Sequence, residues 1–147
     1  MTKDVLVKIS GLQFSTEQEN EAIEVITAAD YYKRNGKHYI IYEEVMEGFE
    51  GTTRNVMKLG GSFLDITKKG ASNVHMVFEK NKKNVSYYYT PYGSLLIGID
   101  AKEVNVKETE NNIDVEVKYA LEVNYEHLAD CNIKVNIMSK ENGDFSI

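Results

Sequence analysis

From Ile113 to Val123 every second residue is apolar (Ile113, Val115, Val117, Tyr119, Leu121, Val123), and most positions between them are charged or polar. A period of two sends alternate side chains to opposite faces of an extended chain, so this segment has one face for a core and one for water. The same beat recurs along nearly the whole sequence, in about ten short segments bounded by turn residues. The pattern encodes a half-buried antiparallel sheet.

Each boundary has a physical cause. Residues 5–14 form the first segment. A polar run from Ser15 to Asn20 leads to a second, with Ile23, Val25, Thr27, Ala29 and Tyr31 on one face. Thr16-Glu17-Gln18-Glu19 has the form of a helix capping box, but the period-two pattern after it favours a hairpin loop. Asn35-Gly36 is the strongest turn signal, because both central residues of a type I′ turn need positive φ. Gly48 and Gly51 close the third segment. Gly60-Gly61 separates residues 53–59 from 62–68, and Lys69-Gly70-Ala71-Ser72 leads into 73–79. Residues 81–84 make the next turn, Asn111-Asn112 starts the Ile113 strand, and the last segment sets Ile133, Val135 and Ile137 on one face. Only residues 126–130 read as a helical turn.

Ten such segments with short connections and no long helix cannot stay flat without two exposed edges that invite aggregation. Closing the sheet removes the edges, and a sandwich would need longer crossovers. The expected fold is therefore all-β, an antiparallel up-and-down barrel of eight to ten strands, about wide enough for side chains and one small molecule. The 147 residues fit a single domain spanning 1–147, one that removes roughly 68–70% of its unfolded surface from water.

The one cysteine, Cys131, cannot form an internal disulfide, which fits a reducing compartment. The first residues run straight into an alternating strand without an apolar stretch of leader length, and no window has the length of a membrane span. The expected location is cytoplasmic, with no membrane association. A net charge of −6 opposes a sequence-independent grip on nucleic acid, which depends on neutralising phosphates. Residues 100–130 hold nine acidic and three basic side chains, so the acidity is local.

Tyr39-Ile40-Ile41-Tyr42-Glu43-Glu44, the Lys69-Gly70 turn, Met76-Val77-Phe78-Glu79, Tyr89-Thr90-Pro91-Tyr92-Gly93 and the strand ending Tyr119-Ala120-Leu121 resemble the YwiB-like family of uncharacterised bacterial proteins. That resemblance covers nearly the whole chain. It implies a calycin-like barrel, related in shape to lipocalins and fatty-acid-binding proteins, with no catalytic residues to carry over. Family members often have Arg-x-Gly where this chain has Lys68-Lys69-Gly70.

Three groups of residues are candidates for chemistry. In Tyr42-Glu43-Glu44 the alternation puts Tyr42 and Glu44 on one face and Glu43 on the other, so one glutamate turns inward whichever face is core. An inward carboxylate needs a charged or hydrogen-bonded partner, and Arg54 on the next strand is the expected one; a solvated place at a barrel mouth is the alternative. In Tyr87-Tyr88-Tyr89 at least one ring points inward, suiting an amphipathic ligand or an ordinary core. Pro91 marks an edge, bulge or turn. His38, His75 and His127 lie on separate segments without metal-pair spacing, and His75 falls on the face opposite Val74, Met76 and Phe78. Cys131 has no neighbouring base and reads as a small buried apolar side chain. Gly60-Gly61-Ser62 lacks the lysine and helix of a phosphate loop.

Two functions from different classes follow. The first is a carrier or sensor holding a small apolar or amphipathic molecule inside the barrel, with Tyr42, Glu44, Met76, Tyr87 and Tyr89 as lining residues and no cofactor. The second is an interaction module with a side-chain-filled barrel, its acidic 100–130 region meeting a basic protein. An enzyme using Glu44 and a tyrosine has no third group to orient it. A strand edge leaves room for a homodimer.

Overall fold

The computed structural model describes residues 1–11, 24–45, 51–70, 73–90 and 93–140. One antiparallel sheet contains β1 (Asp4–Ser10), β2 (Glu24–Arg34), β3 (Lys37–Val45), β4 (Thr52–Leu59), β5 (Phe63–Gly70), β6 (Val74–Glu79), β7 (Lys83–Thr90), β8 (Gly93–Glu108), β9 (Asn112–Val123) and β10 (Glu126–Ser139). The hydrogen-bonded order is β6-β5-β4-β3-β2-β1-β10-β9-β8-β7. β1 pairs with β10 from Val5↔Ser139 to Ser10↔Lys134. The outer strands of this order, β6 and β7, meet through an isolated bridge between Asn73 and Tyr89, with reciprocal backbone bonds of 2.9 and 2.8 Å. The chain thus forms the expected up-and-down barrel, nearly closed, with ten strands.

The turn signals work as their chemistry requires. Asn35 (φ 53°) and Gly36 (φ 76°) both take the left-handed conformation of a type I′ turn. Gly70 lies at φ 142°, where an added Cβ would run into the carbonyl oxygen of Thr52, so β5 can end against β4 only without a side chain.

Alternation fills the interior. Val5 and Val7, Ile40, Met57 and Leu59, Leu64 and Ile66, Met76 and Phe78, Ile113, Val117, Ile133 and Ile137 are all wholly or almost wholly buried. Phe78 of β6 and Tyr119 of β9 meet edge to face with centroids 5.0 Å apart, so side chains cross the lumen and fill it at that level. In β8 the alternation changes parity. Ile97, Ile99 and Ala101 are buried, then Val104, because an irregularity between Ala101 and Glu103 turns two successive residues outward.

The helical turn expected at residues 126–130 is corrected: these residues open β10, with Glu126 paired to Val123. Asn124 (φ 50°) and Tyr125 (φ 70°) form a two-residue connection that leaves no room for a helix. The loop read from Ser15 to Asn20, the turn at Gly48 and the break at Pro91 lie outside the described residues.

Candidate functional site

Two polar clusters interrupt the apolar interior, one toward each end of the barrel. The first follows the Asn35-Gly36 turn. His38 is 5% exposed, its Nδ1 2.6 Å from the Tyr31 hydroxyl and its Nε2 3.2 Å from Glu108 Oε1. A carboxylate can only accept, so Nε2 carries a proton and, in the neutral ring, Nδ1 accepts from the Tyr31 O–H. Burial and the nearby Glu108 charge raise the Tyr31 pKa.

The second cluster lies where β3 and β5 end and β4 begins. Ile40 and Tyr42 face inward and Glu44 continues that face, so Glu44 is the inward glutamate and Glu43 the outward one. The expected Arg54 partner is corrected. Arg54 sits directly opposite Glu43 and pairs with it on the outside at 3.7 Å. The cation that meets Glu44 is Lys68, whose Nζ lies 3.0 Å from Glu44 Oε1 and 2.7 Å from Asn55 Oδ1.

Asn55 is fully buried, and its Nδ2 donates to Glu44 Oε1 and the Thr53 carbonyl, both at 3.3 Å. These contacts fix the amide orientation and hold the ammonium, in a residue only 8% exposed. An ammonium has three donors; the third has no acceptor among the described residues. Burial, then the Glu44 charge, pushes the Tyr42 hydroxyl pKa up.

Beside this cluster opens a pocket of about 300 Å³, where Tyr42, Glu44 and Lys68 face Ile9, Val25, Ile26 and Val45. One wall is charged and the other apolar. Sequence reasoning missed Lys68 and Asn55 as members of the site. The signal lay in the alternation of β5, where Lys68 falls on the inward phase with Ile66 and Leu64.

The five expected lining residues do not form one site. Tyr42 and Glu44 line this mouth pocket. Met76 is enclosed in the core with no exposed surface. Tyr87 and Tyr89 are each 54% exposed and line an outer groove that shares only Lys68 with the mouth pocket; Tyr88 is the inward ring and packs against the core. His75 faces outward, as expected, with Nε2 2.9 Å from Asp65 Oδ2.

Cys131 is half-buried against the core beside Tyr119, its cross-strand neighbour; burial raises the thiol pKa, and the Tyr119 contact partly opposes this. Among the described residues no three His, Cys, Asp or Glu side chains gather as a metal site, and no helix is long and apolar enough to cross a membrane.

Fold and mouth together define a class: a ten-stranded up-and-down barrel with a packed interior and a paired, buried cation at one end. The family model described as a domain of unknown function, DUF1934, matches residues 7–135, and the chain belongs to that family. The chain is similar to the crystal structure of the ywiB protein from Bacillus subtilis, at 18% identity and a TM-score of 0.78 over 93% of this chain and 92% of that one. At that identity the likeness shows the fold, and it bears out the resemblance read from the sequence. No curated protein matches the chain.

Proposed function

We propose that the protein binds a small amphipathic molecule at the mouth of the barrel, its polar head against Lys68 and its apolar part against Val25, Ile26 and Val45. The observation that carries this is a buried ammonium with one donor unused among the described residues, beside an apolar wall in a pocket of about 300 Å³. That volume lies at the lower end of small-molecule sites. A residue as costly to bury as lysine stays charged only when held by partners, and among the described residues those partners leave one N–H over.

The packed lumen argues for a ligand at the mouth and against one enclosed at the level of Phe78 and Tyr119. With its single half-buried cysteine, the protein is placed by this reading in the cytoplasm.

The test is a thermal-shift series with medium-chain carboxylates, alcohols and amines of equal chain length, run on wild type and Lys68→Met. Binding to the folded state alone raises the melting temperature by mass action. The carboxylates should raise that of the wild type, and Lys68→Met should abolish the rise. No shift with any amphiphile, or an equal shift in the variant, overturns the proposal.

The filled interior also supports the interaction-module reading. Much of the acidic excess is already engaged, however: Asp100 pairs with Lys102 at 2.8 Å, Glu103 with Lys118 at 3.7 Å, Glu122 with Lys83, and Glu108 with His38. A basic partner captured at low salt and released at high salt would favour this second reading.

A further inference from the structure

The β6–β7 seam carries an inference of its own. Asn73 and Tyr89 exchange both backbone bonds, so the same register would set His75 opposite Tyr87 and Val77 opposite Val85. Those pairs are not made. Instead Ser86 Oγ donates to the His75 carbonyl at 2.6 Å and Asn84 Nδ2 to the Val77 carbonyl at 3.2 Å. In a strand, alternate amides point to the same neighbour, so the N–H groups of His75 and Tyr87 face the seam with no backbone partner among the described residues.

Against this seam lies an outer groove of about 450 Å³. Its apolar wall is a pair of tyrosine rings, Tyr87 and Tyr89, stacked with centroids 5.9 Å apart and planes 28° from parallel. Its polar side carries Lys69, part of Lys68, whose ammonium is turned to Glu44 and Asn55, and the His75 ring, whose Nε2 is held by Asp65. Lys69 sits directly opposite Arg54 on the neighbouring strand. Arg54 is already paired on this outer face with Glu43 at 3.7 Å, so it is the Lys69 charge that is left to attract an anion. The neighbouring carboxylates are engaged too, Asp65 by His75 and Glu43 by Arg54.

We infer that this groove is a second binding site, for a small planar aromatic anion whose ring stacks on Tyr87 and Tyr89 and whose charge points toward Lys69. Exposed tyrosine rings offer flat apolar surface, and aromatic pairing adds to area burial; the lysine supplies the charge complement.

The test uses 2-naphthoate, with neutral 2-naphthamide beside it, followed by backbone amide NMR and by tyrosine emission, which the absence of tryptophan leaves unobscured. The naphthoate should saturate and shift the His75 and Tyr87 amides. The naphthamide should bind more weakly. Tyr87→Leu with Tyr89→Leu should weaken binding about tenfold, at exposed positions where the fold tolerates the change. Ile26→Glu, in the wall of the mouth pocket, should leave the affinity unchanged and so separates this site from the mouth. Shifts centred on Ile26 and Tyr42, no saturation by millimolar concentration, or full affinity in the double variant would each overturn the inference.

Discussion

The two buried polar clusters solve the same problem differently. At one end, Tyr31, His38 and Glu108 use each other up: the hydroxyl donates to the ring, the ring donates to the carboxylate, and the carboxylate, half-exposed, finishes in water. At the other end, Lys68 meets Glu44 and Asn55 and, among the described residues, keeps a donor in hand, with a cavity beside it. The difference teaches where to look for binding in a barrel whose interior is full. A closed chain of hydrogen bonds is architecture, whereas an incomplete one beside a pocket has something to offer a ligand.

Four experiments press on that contrast, in descending order of expected effect. His38→Ala removes the centre of the relay, leaves the Tyr31 hydroxyl buried without an acceptor and opens a cavity; it should cost about 3 kcal/mol, read from urea unfolding, with mouth binding unchanged. Under 1 kcal/mol would mean the relay is not structural.

Glu44→Ala leaves the Lys68 ammonium without its counter-charge. It should cost about 2 kcal/mol, below the range for a fully buried pair because 37% of the Glu44 side chain is exposed. Lys68→Met leaves the buried Asn55 Oδ1 without its donor and Glu44 without its cation and should likewise cost about 2 kcal/mol, so its loss of binding is read against the variant's own unliganded melting temperature.

Alkaline titration compares Tyr31 with Tyr42. Both hydroxyls have pKa values raised by burial above the ordinary 10.0, so above that pH the unfolded chain gives up these protons first. Their contribution to stability is whole below pH 10 and falls as the pH rises through the folded values. Unfolding midpoints should drop above pH 10, and Tyr31→Phe or Tyr42→Phe should flatten the fall. A flat wild-type profile from pH 9 to 11.5 would contradict this.

Ser86→Ala removes one of the side-chain links across the seam and should cost only about 0.5–1 kcal/mol. Its clearer effect should be faster amide exchange at Asn73 and Tyr89, the bonded pair of the seam, with β9 and β10 unaltered.

Much of this molecule could be read from residue order because local rules and the final fold agree. The Ile113 strand, the Asn35-Gly36 turn and the inward phase of Ile40, Tyr42 and Glu44 depend only on period and turn chemistry. What could not be read depended on register across strands. Arg54 looked like the partner of Glu44 because it stands on the next strand, yet direct pairing gives it to Glu43 on the outside, and Lys68 reaches in from one strand further. The β8 bulge hides its own alternation by switching from Ile97 and Ile99 to Val104. Asn124-Tyr125 gave no glycine to announce a tight hairpin, so the residues after it looked helical. Tyr87 and Tyr89 have strand-forming side chains suited to either face, and only the pairing with β8 turns them outward.

The place where β1 lies against β10 sets the order of assembly. Nine of the ten strands can be laid down before the first has its second neighbour, since Val5 waits for Ser139. Such distant pairing makes for slow folding. If the end of β10 were linked to the start of β1 and the chain reopened between Glu79 and Lys83, the strands would run from one sheet edge to the other as a plain meander. That circular permutant should fold faster than the parent while keeping its mouth and its groove, because the covalent break would then coincide with the gap the hydrogen bonds already leave.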